Sequence, residues 1–353
     1  MILKICTIVG TRPQFIKYAP VSQELSNHEE LLVHAGQHYD ANLSDIFFQE
    51  LGIRNPDIRL ESGSESHGVQ TTKILVGAER VLLQHNPDIV MVYGDTNSTL
   101  AGALAAAKLN IPVAHVEAGC RSFDRRMPEE VNRVIVDHIS TLNFAPDYMA
   151  MQNLMCEGSP GECIRMVGDT LADALHMFSE RPSVILAALQ LKPKQYHLLT
   201  VHRQGNTENP DIIRDIFSGV SRSYLPVVFP VHPRTSKAVY VNRIPIPDNI
   251  ITLLPIGYID MIHLMRNAKK IITDSGGMQH EAAILGVPCV TLRDTTEWVD
   301  TVRRKWNVLA GTNPLNIAKL INSDFTPPQK YPVEYGAAKK IIAYMEEWYD
   351  SKR

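Results

Sequence analysis

Cysteine is scarce in this chain, and its few copies follow no pattern. The five cysteines are odd in number, scattered along the chain and never spaced as CxxC. Their arrangement argues against a disulfide framework or a zinc site and favours a reducing cytosol. No apolar run approaches the roughly 20 residues that cross a membrane. The first nine residues lack the basic start and cleavage site of a signal peptide and are predicted to form a strand. We therefore expect a cytoplasmic protein without membrane contact.

Excess charge and the common nucleotide motifs are also missing. The formal net charge is only −3, so there is no basic surface that would indicate nucleic acid as a partner. No GxGxxG follows a strand and no GxxxxGK[ST] occurs, which counts against a dehydrogenase and against an NTPase. His115 and Glu117 share one face of a strand, but nothing else completes a metal-ligand spacing. We predict no metal and no cofactor.

Short β-rich runs alternate with helical patterns from one end of the chain to the other. Continuous apolar strands separated by helices are typical of parallel sheets covered on both faces. The twelve predicted strands are Lys4–Val9, Leu31–His34, Ile89–Tyr93, Val113–Glu117, Leu142–Phe144, Arg165–Val167, Tyr196–Val201, Pro226–Val231, Ile250–Leu254, Lys270–Thr273, Pro288–Leu292 and Asn307–Leu309. They form two series, which predicts an α/β protein with two doubly wound, Rossmann-like domains and ligands at the carboxyl ends of the strands.

The length of 353 residues also suits two domains of about 150–180 residues each. We place the first domain at residues 1–172 and the second at 173–332, because proline and lysine interrupt the pattern between Asp173 and Gln195. The last segment is predicted to be an amphipathic helix within 333–353. It either packs back on the first domain, which we favour, or forms a dimer surface.

The turn Ser275-Gly276-Gly277 is a candidate phosphate site. The apolar run before it predicts a buried strand, and Gln279–Leu285 after it predicts a helix. A hydroxyl and two glycines at a helix start leave N–H groups and the positive end of the helix dipole accessible to an anion. Glu281, in the first turns of that helix, is close enough to reach a ribose hydroxyl. An ordinary strand-to-helix turn is the alternative.

Three acidic residues stand at strand or helix ends in the first half. Asp95 and Glu117 each follow a strand, and Glu129 follows Pro128 at the start of a helix. Val131 and Ile135 are expected on the buried side of that helix, together with Val134 and Ile139. Each acid can be a simple helix cap. Three carboxylates gathered at one cleft would instead shift one another's pKa values and supply both an acid and a base.

Basic residues and histidines occupy similar strand-end positions. Arg12 and Lys17 follow the first strand, where arginine can clamp a phosphate and lysine can act as a point charge. Arg133 lies one helical turn after Glu129 and can pair with it or contact a ligand. His202 and His232 end two neighbouring strands of the second series. The two histidines can be structural, or they can face a cleft.

These residues carry a family likeness over nearly the whole chain: it resembles the non-hydrolysing UDP-N-acetylglucosamine 2-epimerases. The matching segments are Gly10-Thr11-Arg12-Pro13, Gly36-Gln37-His38, Gly94-Asp95-Thr96, His115-Val116-Glu117-Ala118-Gly119, Pro128-Glu129-Glu130-Val131-Asn132-Arg133, His202-Arg203 and Asp274-Ser275-Gly276-Gly277-Met278-Gln279. The resemblance implies a GT-B fold with an interdomain cleft, UDP held mainly by the second domain, and a homodimer. It also implies that a UDP-2-acetamido sugar is inverted at C2 by elimination and re-addition of UDP, for polysaccharide precursor synthesis.

The resemblance also implies roles for the candidate residues. The acid–base candidates are Asp95, Glu117 and Glu129. The diphosphate would be held by Arg12, Lys17, His202, Ser275 and Gly276, and the ribose by Glu281. We count His202 among the catalytic candidates as well, and add Arg133, His232 and Gly277 to the substrate-binding ones.

Several positions depart from the family pattern, and they leave the sugar open. Gly205 stands where an acid is common after the histidine, His280 replaces a common glutamate, and Thr296-Glu297-Trp298-Val299 replaces TERP. Gln37-His38-Tyr39-Asp40 lacks the arginine-rich continuation of members with a second, allosteric site. The segments Arg12-Pro13-Gln14-Phe15-Ile16-Lys17 and Thr296-Glu297-Trp298 resemble those of the branch that acts on UDP-2,3-diacetamido-2,3-dideoxyglucuronate. We therefore expect UDP-N-acetylglucosamine first and that sugar second; a GT-B glycosyltransferase is a more distant alternative.

Overall fold

The computed structural model describes residues 2–36, 48–63, 65–325, 327 and 329–352. The segment Gln37-His38-Tyr39-Asp40, considered above for allosteric control, lies outside these residues. The chain divides into two compact units. Unit 1 contains the described residues up to Met177 and those from Glu334 onward, and unit 2 contains Phe178–Val333.

Unit 1 is built on a seven-stranded parallel sheet in the order β3-β2-β1-β4-β5-β6-β7. Its strands are β1 Lys4–Val9, β2 Glu29–His34, β3 Ile58–Arg59, β4 Ile89–Tyr93, β5 Val113–Val116, β6 Leu142–Ala145 and β7 Ile164–Met166. Its helices up to the unit boundary include α1 Arg12–Glu24, α2 His67–His85, α3 Asn97–Lys108, α4 Pro128–Ile139, α5 Tyr148–Cys156 and α6 Thr170–Ser179, the last of which contains the boundary.

Unit 2 is built on a six-stranded parallel sheet in the order β10-β9-β8-β11-β12-β13. Its strands are β8 His197–Thr200, β9 Val227–Pro230, β10 Ile250–Leu253, β11 Lys270–Thr273, β12 Cys289–Thr291 and β13 Asn307–Leu309. Its helices are α7 Ile185–Ala188, α8 Gln204–Thr207, α9 Pro210–Val220, α10 Pro233–Val241, α11 Tyr258–Asn267, α12 Gly276–Ile284, α13 Val299–Arg303 and α14 Pro314–Asn322.

Both faces of the second sheet are buried under helices. Leu198 belongs to one hydrophobic cluster and its neighbour Leu199 to another, because successive side chains of a strand point to opposite faces. This two-sided burial explains why apolar residues occupy consecutive positions in these strands. The predicted α/β class with two parallel sheets is confirmed.

The chain ends in helix α15, Ala337–Ser351, which belongs to unit 1 and packs against α1. The Asp173 carboxylate holds its first turn by accepting hydrogen bonds from the backbone N–H groups of Gly336 (2.7 Å) and Ala338 (2.8 Å). Gly336 has φ of 90°, a left-handed conformation that glycine adopts at little cost. Ile341 and Met345 are buried against the unit.

Two details differ from the expectation. The two-residue edge strand β3 was not predicted, because Ile58–Arg59 is too short to give a periodic signal. The expected burial of helix α4 was wrong for Val131 and Ile135, whereas Val134 and Ile139 are half-buried. Val131 and Ile135 are exposed, at 42% and 39%, whereas the polar residues Glu130, Arg133 and Asp137 are buried. The buried face of the helix thus carries three charged side chains beside Val136, and the contacts of the site account for them.

Candidate active site

In unit 1, the candidate residues lie at the carboxyl ends of the central strands. The chain runs from β1 outward to β2 and β3, then returns to β4 on the other side of β1. Such a reversal of strand order opens a crevice above the sheet, where α/β proteins bind ligands. Arg12 follows β1, Asp95 follows β4 and Glu117 follows β5, so these three residues surround that point.

Gln14, which sequence analysis did not select, ties the loops of this crevice together. Its buried side-chain oxygen accepts a hydrogen bond from the backbone N–H of Gly10 (2.8 Å). Its side-chain nitrogen donates to the carbonyl of Tyr93 (2.8 Å) and to Oγ1 of Thr96 (3.0 Å). Thr11 and Gln14 form a capping box at the start of α1. The Thr-x-x-Gln pattern is the signal that could have identified it.

Lys17 and Glu117 form an ion pair within unit 1. Their side chains are only 13% and 12% exposed, so each charge depends on the other in place of water. Glu117 has φ of 72°, in the left-handed region that residues other than glycine rarely adopt. Backbone strain of this kind is concentrated at functional sites. Sequence analysis assigned Lys17 to a diphosphate, and the structure places it beside the candidate acid–base residue.

Asp95 is paired with Arg133, which reaches it from α4. The Arg133 guanidinium is buried and also donates to Glu130 at 3.2 Å. Asn132 supports the same loop by donating from its side chain to the carbonyl of Asp95 at 2.9 Å. Two carboxylates at adjacent strand ends, Asp95 and Glu117, are thus each paired with a cation.

The other two candidates of unit 1, Glu129 and Arg12, are both half-buried. The residue after Glu129, Glu130, is buried and accepts hydrogen bonds from the backbone N–H groups of Ser122 (2.9 Å) and Phe123 (2.9 Å). Charged side chains on the inward face of α4 thus anchor the loop that follows β5. This explains why Val131 and Ile135 face outward.

In unit 2, Asp274 organises the candidate residues around the reversal between β8 and β11. Its carboxylate is fully buried and accepts hydrogen bonds from the backbone N–H groups of His202 (3.0 Å) and Arg203 (2.9 Å). It also accepts one from the side chain of Asn206 at 3.1 Å. Sequence analysis quoted Asp274 only as part of a motif and did not select it. Its position directly after a predicted strand is the signal that could have identified it.

The two candidate histidines lie side by side in unit 2. The ring centroids of His202 and His232 are 5.4 Å apart. Burial lowers the pKa of His202, and the cations Arg203 and Arg234 lower it further against the opposing charge of Asp274. His202 is therefore mainly neutral at pH 7. His232 is exposed and caps α10 by accepting from the backbone N–H of Arg234 at 3.1 Å.

The Ser275-Gly276-Gly277 turn forms the start of α12. Ser275 is the N-cap, and the helix begins at Gly276, three residues earlier than predicted. A carboxylate already stands at this helix start. Oε1 of Glu297 is 1.9 Å from the position that a Cβ on Gly276 would take. Arg203 (3.4 Å) and Arg293 (2.8 Å) hold that carboxylate, so the place has the donors and the dipole that an anion needs.

Further along α12, Glu281 is buried and its Oε1 accepts a hydrogen bond from the hydroxyl of Tyr258 at 2.9 Å. The residue before it, His280, stacks on Trp298 with ring centroids 3.9 Å apart and planes 20° apart. Both His280 and Trp298 are positions where the sequence departs from the family pattern. The structure shows that the two departures are in contact with each other.

No group of three or more metal-ligating side chains occurs among the residues that the structure describes. In the same part of the chain, no helix combines the length and the apolar character needed to cross a membrane.

The chain is similar to known proteins over almost its full length. The family model for UDP-N-acetylglucosamine 2-epimerase matches residues 22–344. A Methanococcus maripaludis protein named UDP-N-acetylglucosamine 2-epimerase homolog is 48% identical over 98% of this chain and 99% of its own length. The Pseudomonas aeruginosa UDP-2,3-diacetamido-2,3-dideoxy-D-glucuronate 2-epimerase is 44% identical over 88% of each protein. A crystal structure of the Methanocaldococcus jannaschii UDP-GlcNAc 2-epimerase, in complex with UDP-GlcNAc and UDP, matches with a TM-score of 0.90 and 40% identity, covering 98% of this chain and 100% of that one.

The two parallel sheets and the match to this solved structure define an α/β protein of the GT-B-like class, as predicted. The chain belongs to the UDP-N-acetylglucosamine 2-epimerase family, whose named members are isomerases.

Proposed function

We propose that this chain interconverts UDP-N-acetylglucosamine and UDP-N-acetylmannosamine. The observation that carries the proposal is the pair of carboxylates at adjacent strand ends of unit 1, Glu117 with Lys17 and Asp95 with Arg133. Inversion at C2 requires removal of a proton from one face of the sugar and delivery of a proton to the other. Two carboxylates with different surroundings can share these tasks.

The reaction proceeds by elimination and re-addition. One group takes the C2 proton while the C1–O bond breaks, and UDP leaves with the bonding electron pair. This gives a 2-acetamidoglucal. UDP then adds back to C1 as a proton is delivered to the opposite face of C2. Asp95, Glu117 and Glu129 are the acid–base candidates for these proton transfers.

The departing diphosphate needs strong electrostatic stabilisation, because the C2–H bond beside an acetamido group is only weakly acidic. Unit 2 offers donors for that purpose at the start of α12, from Ser275, Gly276 and Gly277, together with His202 and His232. We assign the ribose to Glu281, whose carboxylate is held by Tyr258. Arg12 is the diphosphate candidate from unit 1.

A second sugar, UDP-2,3-diacetamido-2,3-dideoxyglucuronate, is the alternative substrate for the same reaction. The 44% identity to the Pseudomonas aeruginosa enzyme named for that sugar favours it. The stack of His280 on Trp298, close in sequence to Glu281 and Glu297, also distinguishes this chain from the common family pattern.

NMR in heavy water with both sugars side by side tests the proposal. We expect deuterium to enter C2 of the recovered UDP-sugar and the C2 epimer to appear. The preferred substrate is the sugar with the higher kcat/KM. Absence of exchange and of epimer with either sugar would refute the proposed function. Release of free N-acetylmannosamine would indicate hydrolysis instead.

We also propose that the protein is a homodimer formed through the outward face of α4. Val131 and Ile135 are exposed there. Leu100 and Leu104 of the adjacent helix α3 are half-buried. Because charged residues that hold the site occupy much of the inward face of α4, Val131 and Ile135 face away from the unit, whereas Val136 is buried in the core. A second copy of the chain would remove this face from water.

A further inference from the structure

Two left-handed backbone positions lie next to each other at the carboxyl ends of β4 and β5. Gly94 has φ of 62° and Glu117 has φ of 72°. The two strand ends are joined by a hydrogen bond from the N–H of Gly94 to the carbonyl of Val116 at 2.9 Å. Left-handed backbone at Glu117 is costly and persists only where the surroundings hold it. Since Asp95 directly follows Gly94, this pair of turns sets the direction of both candidate carboxylates.

His115 lies beneath the two turns and is fully buried. Its Nε2 is 2.7 Å from the carbonyl oxygen of Gly94, and its Nδ1 is 2.7 Å from Oδ1 of Asp137. A carbonyl oxygen can only accept a hydrogen bond, so Nε2 is the donor to Gly94. The ring thereby fixes the peptide between Gly94 and Asp95. It also belongs to β5, two residues before Glu117.

Asp137, on the inward face of α4, holds the ring in place. Burial by itself would raise the pKa of this carboxyl, but His115 and Arg121 outweigh burial and lower the pKa below its usual value. The ionised carboxylate also accepts from the backbone N–H of Gly119 at 3.1 Å and pairs with Arg121 at 2.6 Å. Because an ionised carboxylate only accepts, Nδ1 of His115 donates as well.

We propose that His115 and Asp137 are positioning residues that orient Asp95 and Glu117 for proton transfer at C2. His115 donates a hydrogen bond to the carbonyl of Gly94. Asp137 holds both His115 and the backbone N–H of Gly119, in the turn that follows Glu117. Neither residue touches the sugar. The inference rests on the proposed function, because the two carboxylates matter only if they act as acid and base.

Two substitutions of His115 separate its two hydrogen bonds. In H115N the shorter amide can donate to Asp137 but not to Gly94, whereas in H115Q the longer amide can donate to Gly94. We expect kcat for C2 proton exchange to fall by about tenfold or more in H115N with KM changed less than about twofold, since a small misplacement of a catalytic group costs rate rather than binding. H115Q should recover much of the lost kcat, and D137N should lower kcat as H115N does.

Asn143 is the matched structural control. It lies beside His115 in the β5–β6 register and donates to the backbone carbonyl of Asp137 at 3.0 Å, not to the carboxylate. N143A should lower the melting temperature but keep kcat within about twofold of the unsubstituted protein. Equal loss of kcat in N143A and H115N at equal stability would overturn the proposal, and so would an unchanged kcat in H115N. If H115N does not fold, D137N becomes the test, and a normal kcat in D137N would overturn the proposal. Absence of exchange in the unsubstituted protein would refute the proposed function instead.

Discussion

The carboxylate of Glu297 lies directly against Gly276, the first residue of helix α12. Its Oε1 is 1.9 Å from the position of a Cβ on Gly276, whereas a Cβ on the next residue, Gly277, would meet nothing within 4 Å. The two adjacent glycines are therefore not equivalent. Gly276 permits an acidic side chain, held by Arg203 and Arg293, to approach the helix start.

This difference predicts opposite effects on stability. G276A should lower the free energy of unfolding by about 1–2 kcal/mol, because the new methyl group displaces Glu297 from its arginine partners. G277A should be neutral or more stable by up to about 1 kcal/mol, because alanine is the better helix former. Denaturant unfolding without ligand measures both. In an E297A background the penalty of G276A should largely disappear. Equal penalties in the two backgrounds would show that Glu297 is not its cause.

The Lys17–Glu117 ion pair predicts a defect in chemistry rather than in binding. K17M keeps the hydrocarbon part of the side chain and removes the charge beside Glu117. We expect kcat to fall by about tenfold or more, with a smaller change in the Kd of UDP, since the lysine acts on the candidate acid–base group. K17R is the control and should keep more activity. Steady-state kinetics gives kcat, and calorimetry gives the Kd of UDP. If Lys17 instead binds the diphosphate, the Kd of UDP should rise by a larger factor than kcat falls.

His197 predicts a loss of stability in mild acid. Burial, with Lys270 and Lys269 nearby, lowers the pKa of this histidine to about 4 in the folded protein from a usual value of 6.5. Between these two values the unfolded chain binds more protons than the folded one. The free energy of unfolding should therefore decrease as the pH falls from 6.5 towards 4, by up to about 3 kcal/mol from this group. The contribution of His197 is constant above that range.

H197Q removes this titration and is the matched variant. The difference in unfolding free energy between the unsubstituted protein and H197Q should change across pH 6.5 to 4 and stay constant above it. Denaturant unfolding at several pH values gives that difference. A difference that does not vary between pH 7 and 5 would contradict the assignment to His197.

The outward face of α4 predicts an effect on assembly. I135K introduces a charge on the outward face of α4, which we propose is covered by a second copy of the chain. Because burying that charge is costly, we expect the variant to be monomeric. Light scattering coupled to gel filtration measures the mass. V241K, at an exposed valine of unit 2, is the control and should leave the mass unchanged. A dimer that persists in I135K at micromolar concentration would place the interface elsewhere.

The strands and the positions of the site residues follow from local sequence. Strand β4 is a continuous apolar run followed by Gly94 and Asp95, and β11 has an apolar centre followed by Asp274 and Ser275. Such short apolar runs, alternating with helical patterns, predict both the parallel sheets and the residues at their carboxyl ends. Gln14 is an intermediate case. Its capping box is visible in sequence, but its hydrogen bond to the carbonyl of Tyr93 joins residues 79 apart and depends on strand order.

The amino-acid sequence alone was sufficient for the α/β class, the family resemblance and the candidate carboxylates, because these depend on periodicity and on residues next to strand ends. Tertiary structure decided which charges meet. Lys17 pairs with Glu117 across 100 residues, and Arg133 with Asp95 across 38. It also decided that α4 turns its charged side inward. A helical pattern gives the relative positions of side chains on a helix, but only the elements packed around the helix determine which side is buried.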